Sequence, residues 1–292
     1  MAQVIGSFAE ISDRYDAAFV DLWGCMHNGL EAFPEAVAAM QEFRRKGGRV
    51  VLVTNAPRPR ASVEEQVSRL GIPRDAWDAI ATSGDAARVA LFQGAIGRKV
   101  WFMGQPWDRV FLDPPRILQN PIPIEEVPLD EAEGIVCCGP FDPHADPAVN
   151  RLDFLLAKTK GLKLLCANPD IVVDRGEDRE WCAGALAQLY EEMGGEALYF
   201  GKPYPPIYDL ARRRLAAMGQ LPADDRIIAI GDGIRTDIQG AVGEGLDSLF
   251  VTGGLAARET RTDPGGQPDG ASVVAYAEEQ GWAPTYAIGF LR

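Results

Sequence analysis

The chain has 292 residues, 47% of them hydrophobic, and its 42 acidic side chains against 29 Lys and Arg leave a formal net charge of −13. That length can bury a substantial core and fits two domains better than one, while the charge disfavours non-specific roles on nucleic acid or on an anionic membrane surface. Residues 1–15 carry Glu10, Asp13 and Arg14 without a long apolar core, and no apolar stretch approaches membrane-spanning length, so a cytoplasmic protein is expected.

The first informative element is the apolar run Ala17-Ala18-Phe19-Val20, which ends in Asp21-Leu22-Trp23-Gly24. A carboxylate at the carboxyl end of a buried strand, followed by a glycine-containing turn, stands where open parallel sheets hold their active sites, so Asp21 is a nucleophile candidate. His27 follows in the same loop; with His144 it makes only two histidines, too few for a zinc cluster or a conventional histidine triad with spare ligands. From Phe33-Pro34-Glu35 to Lys46-Gly47-Gly48, proline near the start, glycine past the end and Val37, Met40 and Phe43 at helical spacing predict a helix. It leads into the strand Val50–Asn55, whose last residues, Thr54 and Asn55, offer a hydroxyl and an amide that can hydrogen-bond a phosphoryl oxygen without adding charge. Arg58, just beyond, is a candidate phosphate contact. A second helix at Ala61–Leu70 and a strand at Ala79–Thr82 complete another crossover, and strand, helix and strand at this spacing give a right-handed parallel connection.

From about Ser83 to Ala197 the pattern repeats in weaker form, with strands at Lys99–Met103, Gly134–Cys138 and Leu162–Cys166. Pro114, Pro115, Pro121, Pro123 and Pro128 mark an irregular surface loop between the first two. Asn168-Pro169-Asp170 follows the third; an Asx-turn is one reading of it and a substrate contact the other. Cysteines at 25, 137, 138, 166 and 182 lack Cys-x-x-Cys spacing and read as buried thiols of a reducing compartment. Ala197–Phe200 is read as the strand on which the first domain resumes. Then come Gly201-Lys202-Pro203 opening a helix from Pro205 to Met218, the run Ile227–Ile230 ending in Gly231-Asp232-Gly233 with Asp237 five residues on, and a strand at Ser248–Thr252. Residues 253–270 read as a mobile loop, and Ala271–Gln280 as a final helix.

Asp21, Thr54, Lys202, and Asp232 with Asp237, in this order, resemble the haloacid dehalogenase-like superfamily of phosphohydrolases over essentially the whole chain. Thr82-Ser83-Gly84-Asp85, Asn168-Pro169-Asp170 and Gly201-Lys202-Pro203 followed by Pro206-Ile207-Tyr208 are similar to its type IIA branch, whose members carry a large α/β cap. The resemblance implies a doubly wound, Rossmann-like α/β core at 1–82 and 198–292, with an inserted α/β cap at 83–197 that selects the substrate. It implies magnesium held by Asp21, the Trp23 backbone carbonyl, Asp232 and Asp237; attack by Asp21 on phosphorus; phosphoryl binding by Thr54, Asn55 and Lys202; and a small phosphate ester contacted by Asn168, Asp170 and Arg58. Caps of this branch often mediate dimers, which leaves a homodimer open.

Phosphatases of the family usually place a second Asp two residues after the nucleophile, as acid and base. This chain has Trp23, whose indole donates one N–H but exchanges no proton near neutral pH. His27 is the nearby candidate surrogate. Slow turnover is therefore expected, and a catalytically impaired phosphoester-binding protein is the competing reading. A dehalogenase, which also carries an aromatic residue at this position, is the third; it would not use the magnesium carboxylates.

Overall fold

The computed structural model describes every residue but Met1, Arg116, Ile117, Gly176, Glu177 and Gln220, and all their side chains but that of Arg175. Two compact units form. One comprises Met1–Thr54, Glu64–Ala81 and Tyr208–Arg292, the other Asn55–Val63 and Thr82–Ile207.

The first unit is built on seven strands: β1 (Gln3–Val4), β2 (Ala17–Val20), β3 (Arg49–Thr54), β4 (Ala79–Thr82), β12 (Ile227–Gly231), β13 (Asp247–Val251) and β14 (Tyr286–Ile288). Their order is β1-β14-β13-β12-β2-β3-β4, and from β1 to β3 every neighbouring pair runs parallel. β2 and β12 are buried at every position, as strands covered on both faces must be. They lie side by side, Val20 opposite Ile230, so the residues that follow them emerge at the same edge. Helix α1 (Pro34–Arg45) has proline at its start and buries Ala36, Val37, Met40 and Phe43, a stripe at helical period.

The second unit holds β5 (Lys99–Met103), β6 (Glu125–Glu126), β7 (Gly134–Cys137), β8 (Lys163–Cys166) and β11 (Glu196–Tyr199), all parallel, in the order β11-β8-β7-β5-β6, and a separate antiparallel pair, β9 (Val172–Arg175) and β10 (Asp178–Trp181). Alternation sorts its side chains: Met103, Ile135, Cys137, Leu164 and Cys166 pack with Phe154 of α4 (Arg151–Thr159) and Leu186 and Tyr190 of α5 (Ala183–Glu192). Val100, Phe102, Val136 and Leu165 pack on the other face with Ala87 and Leu91 of α3 (Ser83–Phe92). Four further helices are α2 (Arg60–Arg69), α6 (Pro205–Ala216), the short α7 (Gln239–Gly243) and α8 (Gly270–Gln280).

The doubly wound parallel α/β architecture is as expected, but one boundary moves. Ala197–Tyr199, read as the return of the core, belongs to β11 and pairs with β8, Tyr199 opposite Cys166, because its partner strand lies in the second sheet. The proline-rich stretch contains β6, too short to leave a period; its Arg116 and Ile117 lie outside the described residues. Within residues 253–270, Ala256, Thr260 and Thr262 are buried although most of their neighbours are exposed. The Thr262 hydroxyl bonds those of Thr260 and Thr252, each at 2.8 Å, and Thr252 donates to the Ile288 carbonyl at 3.1 Å, since buried hydroxyls need partners.

Candidate active site

The turn after β2 is held by main-chain bonds. Asp21 N–H donates to Ile230 O at 2.8 Å, extending the pairing with β12, and Met26 and His27 N–H both donate to Leu22 O. Gly24 closes the turn at φ +71°, where a Cβ would also collide with the Asp232 carboxylate. Gly254 approaches the same carboxylate from the loop after β13, and Leu255 N–H donates to Asp232 Oδ2 at 3.2 Å. Asp232 is thus cradled by two glycines that no larger residue could replace.

Asp21 and Asp232 are both buried, 8% and 7% exposed. Their ligand atoms and the thiol of buried Cys25 all lie within 4.8 Å of one another. Two like charges this close in a poorly solvated place disfavour joint ionisation unless a cation compensates them. Carboxylate oxygens suit a hard divalent ion such as magnesium, which keeps several waters and needs few protein ligands, so the residues present fit it. Sulfur is a soft donor outside that set. The sequence reading counts Cys25 among the buried thiols, and a lone thiol gives no spacing signal that would place it beside two carboxylates.

Asp237 is not part of this cluster. Its carboxylate accepts from Gly233 N–H at 3.2 Å and the Thr236 hydroxyl at 3.3 Å, and its Cβ and Cγ fill the space against Gly231. The π-helical turn Ile234–Ile238 sets Asp237 beside Gly231 and Gly233, behind the Asp232 carboxylate in sequence.

In the second unit, Asn55, Asp170 and Lys202 meet. Asn55 Nδ2 donates to Asp170 Oδ1 at 2.8 Å and to Lys202 O at 3.1 Å, while Asn55 Oδ1 accepts from Lys202 N–H at 2.7 Å. Both amide protons are committed, so Asn55 has none left for a phosphoryl oxygen, and the oxyanion role expected of it is corrected. Asn168 forms the Asx-turn, its Oδ1 accepting from Asp170 N–H at 3.0 Å. Lys202 is 3% exposed, and Thr54, the last residue of β3, is 2% exposed.

Arg58 is half-buried, and its charge acts on Asp108, a buried acid that the sequence reading missed. Burial pushes the Asp108 carboxyl up, against the opposing pull of the Gln105 N–H, at 3.0 Å, and of Arg58. The signal was present as a capping pattern, Gln105 followed by proline and then Asp108 at the third helical position.

Trp23 is half-buried, edge-on to His27 at 5.0 Å between ring centroids, and Gly29 (φ +85°) lies so close to the indole that a Cβ there would overlap it. His27 is 1% exposed and its Nδ1 accepts from Gly29 N–H at 3.0 Å. That bond assigns the ring proton to Nε2, a donor, and occupies the other nitrogen's lone pair. The ring thus braces the indole and the turn and presents Nε2–H as its remaining donor.

Family models match the chain over residues 18–113, as haloacid dehalogenase-like hydrolase, and over 199–277, as HAD-hydrolase-like. A solved haloacid dehalogenase-like hydrolase from Brucella suis 1330 is 37% identical, with 99% of this chain and 100% of that one covered and a TM-score of 0.85. A 5'-nucleotidase of Bacillus subtilis is 24% identical over 254 residues, 85% of this chain and 91% of its own. A glycerol phosphate phosphatase from Mycobacterium tuberculosis, solved in complex with magnesium, is 23% identical with a TM-score of 0.66, over 95% of this chain and 75% of that one. The chain belongs to the haloacid dehalogenase-like hydrolase family, in its type IIA capped branch.

Proposed function

We propose that the protein is a magnesium-dependent phosphatase of a small phosphate monoester, such as a sugar, nucleotide or cofactor phosphate, acting through an aspartyl-phosphate on Asp21. The observation that carries this reading is the convergence of the Asp21 and Asp232 carboxylates at the carboxyl ends of two adjacent central strands. The nucleotidase and the magnesium-bound glycerol phosphate phosphatase among its relatives support it.

An Asp21 oxygen attacks phosphorus as the bond to the leaving oxygen breaks, and that oxygen takes its proton from solvent, because Trp23 has none to give. Water then attacks the aspartyl-phosphate, releasing inorganic phosphate and restoring the carboxylate. The Thr54 hydroxyl and the Lys202 ammonium bind phosphoryl oxygens, with Arg58 a further contact. Asp21, Asp232 and the Trp23 carbonyl would hold magnesium, with Asp237 a further candidate, and the ion would supply charge neutralisation at the phosphoryl group. Without a carboxylic acid beside the nucleophile, good leaving groups such as aryl or acyl phosphates turn over best, and turnover is slow throughout.

The inserted unit selects the leaving group. A homodimer is the assembly this reading expects, and Val149, Leu152 (82% exposed) and Leu156 form an apolar row along α4 and the turn before it. Among the described residues no helix is long and apolar enough to cross a membrane.

The test is phosphate release from p-nitrophenyl phosphate and a panel of sugar, nucleotide and cofactor phosphates, with magnesium or chelator. Magnesium-dependent release that Asp21→Asn abolishes establishes the enzyme. Ligand binding with no release supports the second reading, an impaired phosphoester-binding protein, which Trp23 favours; halide release without magnesium would identify a dehalogenase.

A further inference from the structure

Asn55 is buried, and its amide joins three segments far apart in the chain: its own, the Asn168–Asp170 turn and the Gly201–Lys202 turn. The amide has one workable orientation. Flipped, it would set oxygen against the Asp170 carboxylate and the Lys202 carbonyl and N–H against the Lys202 N–H, three repulsive pairs in place of three hydrogen bonds.

Asp170 is itself anchored. Its N–H donates to Asn168 Oδ1 at 3.0 Å and its carbonyl accepts from Gly184 N–H, at the start of α5, also at 3.0 Å. A Cβ on Gly184 would collide with Pro169 O and lie 2.5 Å from Asp170 O, so the turn is seated directly on the helix. At the other end a Cβ on Gly201 would lie 2.5 Å from Asn55 Oδ1, 2.6 Å from Pro169 Cδ and 2.7 Å from Ser83 Oγ. The peptide leading into Lys202 is therefore clasped between the Asn55 amide and the Asp170 turn.

We infer that Asp170 is a positioning residue: its carboxylate fixes the Asn55 amide, which fixes the main chain of Lys202 and so the base from which its ammonium reaches the phosphoryl group. The last step rests on the phosphatase reading; the relay to the Lys202 main chain does not. The inserted segment then contributes to phosphoryl chemistry as well as to substrate choice, and Asp170 recognises Asn55 rather than substrate.

Two readouts test this on the full-length protein. Amide hydrogen exchange at Lys202 N–H needs no substrate: Asp170→Ala is expected to speed it by about tenfold or more, since the Asn55 acceptor loses its hold. Asp170→Asn keeps an oxygen acceptor and should leave the exchange within about threefold of wild type. With p-nitrophenyl phosphate and magnesium, Asp170→Ala should lower kcat/KM by about 10- to 100-fold, the scale of a displaced catalytic group. In a Lys202→Ala background the same change should cost no more than about twofold, because the two residues act in series.

Unchanged exchange in Asp170→Ala overturns the relay. A full additional loss in the Lys202→Ala background also overturns it, and places Asp170 on the substrate instead. If Asp170→Ala does not fold, Asp170→Leu, which fills the space without an acceptor, is read in its place. Should wild type release no phosphate, the phosphatase reading falls while the exchange measurement still decides the relay.

Discussion

The strand pair β2 and β12 carries acids at both of its ends, and the two ends treat them in opposite ways. At the amino end Asp16 takes a two-point hydrogen bond from Arg226, at 2.6 and 3.0 Å, which ties the entry of β2 to the entry of β12. Close by, Asp78 pairs with Arg44 and Arg49 and accepts from Val50 N–H at 2.8 Å. At the carboxyl end, across the same two strands, Asp21, Asp232 and a thiol converge within 4.8 Å of one another, with two glycines pressed on Asp232. One end pairs acids with arginines; the other gathers two carboxylates within reach of one cation. The contrast separates residues that maintain the sheet from residues kept for chemistry, since active sites are where such unfavourable groupings persist.

The largest expected effect comes from removing one of the gathered charges. Asp21→Asn should lower phosphate release by at least about 10⁴-fold, the scale of losing a nucleophile. In chelator it should also raise Tm, by about 2–4 °C if relief of the like-charge pair gives about 1 kcal/mol. A fall in Tm on differential scanning would mean that the carboxyl end is not strained, and the comparison would collapse.

Trp23→Asp adds a carboxylate to that end. Supplying the family's usual acid and base should raise kcat by about 10²- to 10⁴-fold. Losing an indole packed on Gly29 and His27 should cost on the order of 2 kcal/mol, read in urea. No gain in kcat would show that the turn, and not the side chain alone, limits turnover.

Changes at the amino end should move stability and leave kcat alone. Burial would raise the Asp78 carboxyl, but the Arg44 hydrogen bond, the Val50 N–H and the charges of Arg44 and Arg49 outweigh it and hold the carboxyl below the usual range. Its contribution is therefore present above the unfolded carboxyl value of about 3.9 and lost as pH falls through the lower folded value. Asp78→Asn should cost about 1.5–3 kcal/mol at pH 7, and the gap from wild type should narrow in urea titrations below pH 4.

Asp16 is held low mainly by the Arg226 hydrogen bond and has the same pH sense, but the pair is solvent-exposed. Asp16→Asn should shift Tm by less than about 2 °C and fade in high salt. A larger shift would mean that the exposed clasp, and not the buried one, secures the amino end.

Much of this was legible in the chain because the signals were local. Asp21, Thr54 and Asp232 each close an apolar run, and a buried parallel strand leaves such a run whatever its neighbours are. Capping chemistry placed α1 within a residue or two. The errors came where partners lie far off. Ala197–Tyr199 looks like any core strand until its pairing with β8 is known, and β1 and β14, two and three residues long, leave no period to read.

The sequence by itself determined the long buried strands and the helix α1, the edge at which the acids emerge, and the absence of a carboxylate at Trp23, since each follows from residue type and spacing along one segment. Only the tertiary structure decided what the polar side chains do. Asn55 and His27 have hydrogen-bonding groups that suit catalysis equally well on paper. Which of them remain available depends on partners brought from Asp170, Lys202 and Gly29, and a buried polar atom is satisfied by whatever the fold sets within 3 Å of it.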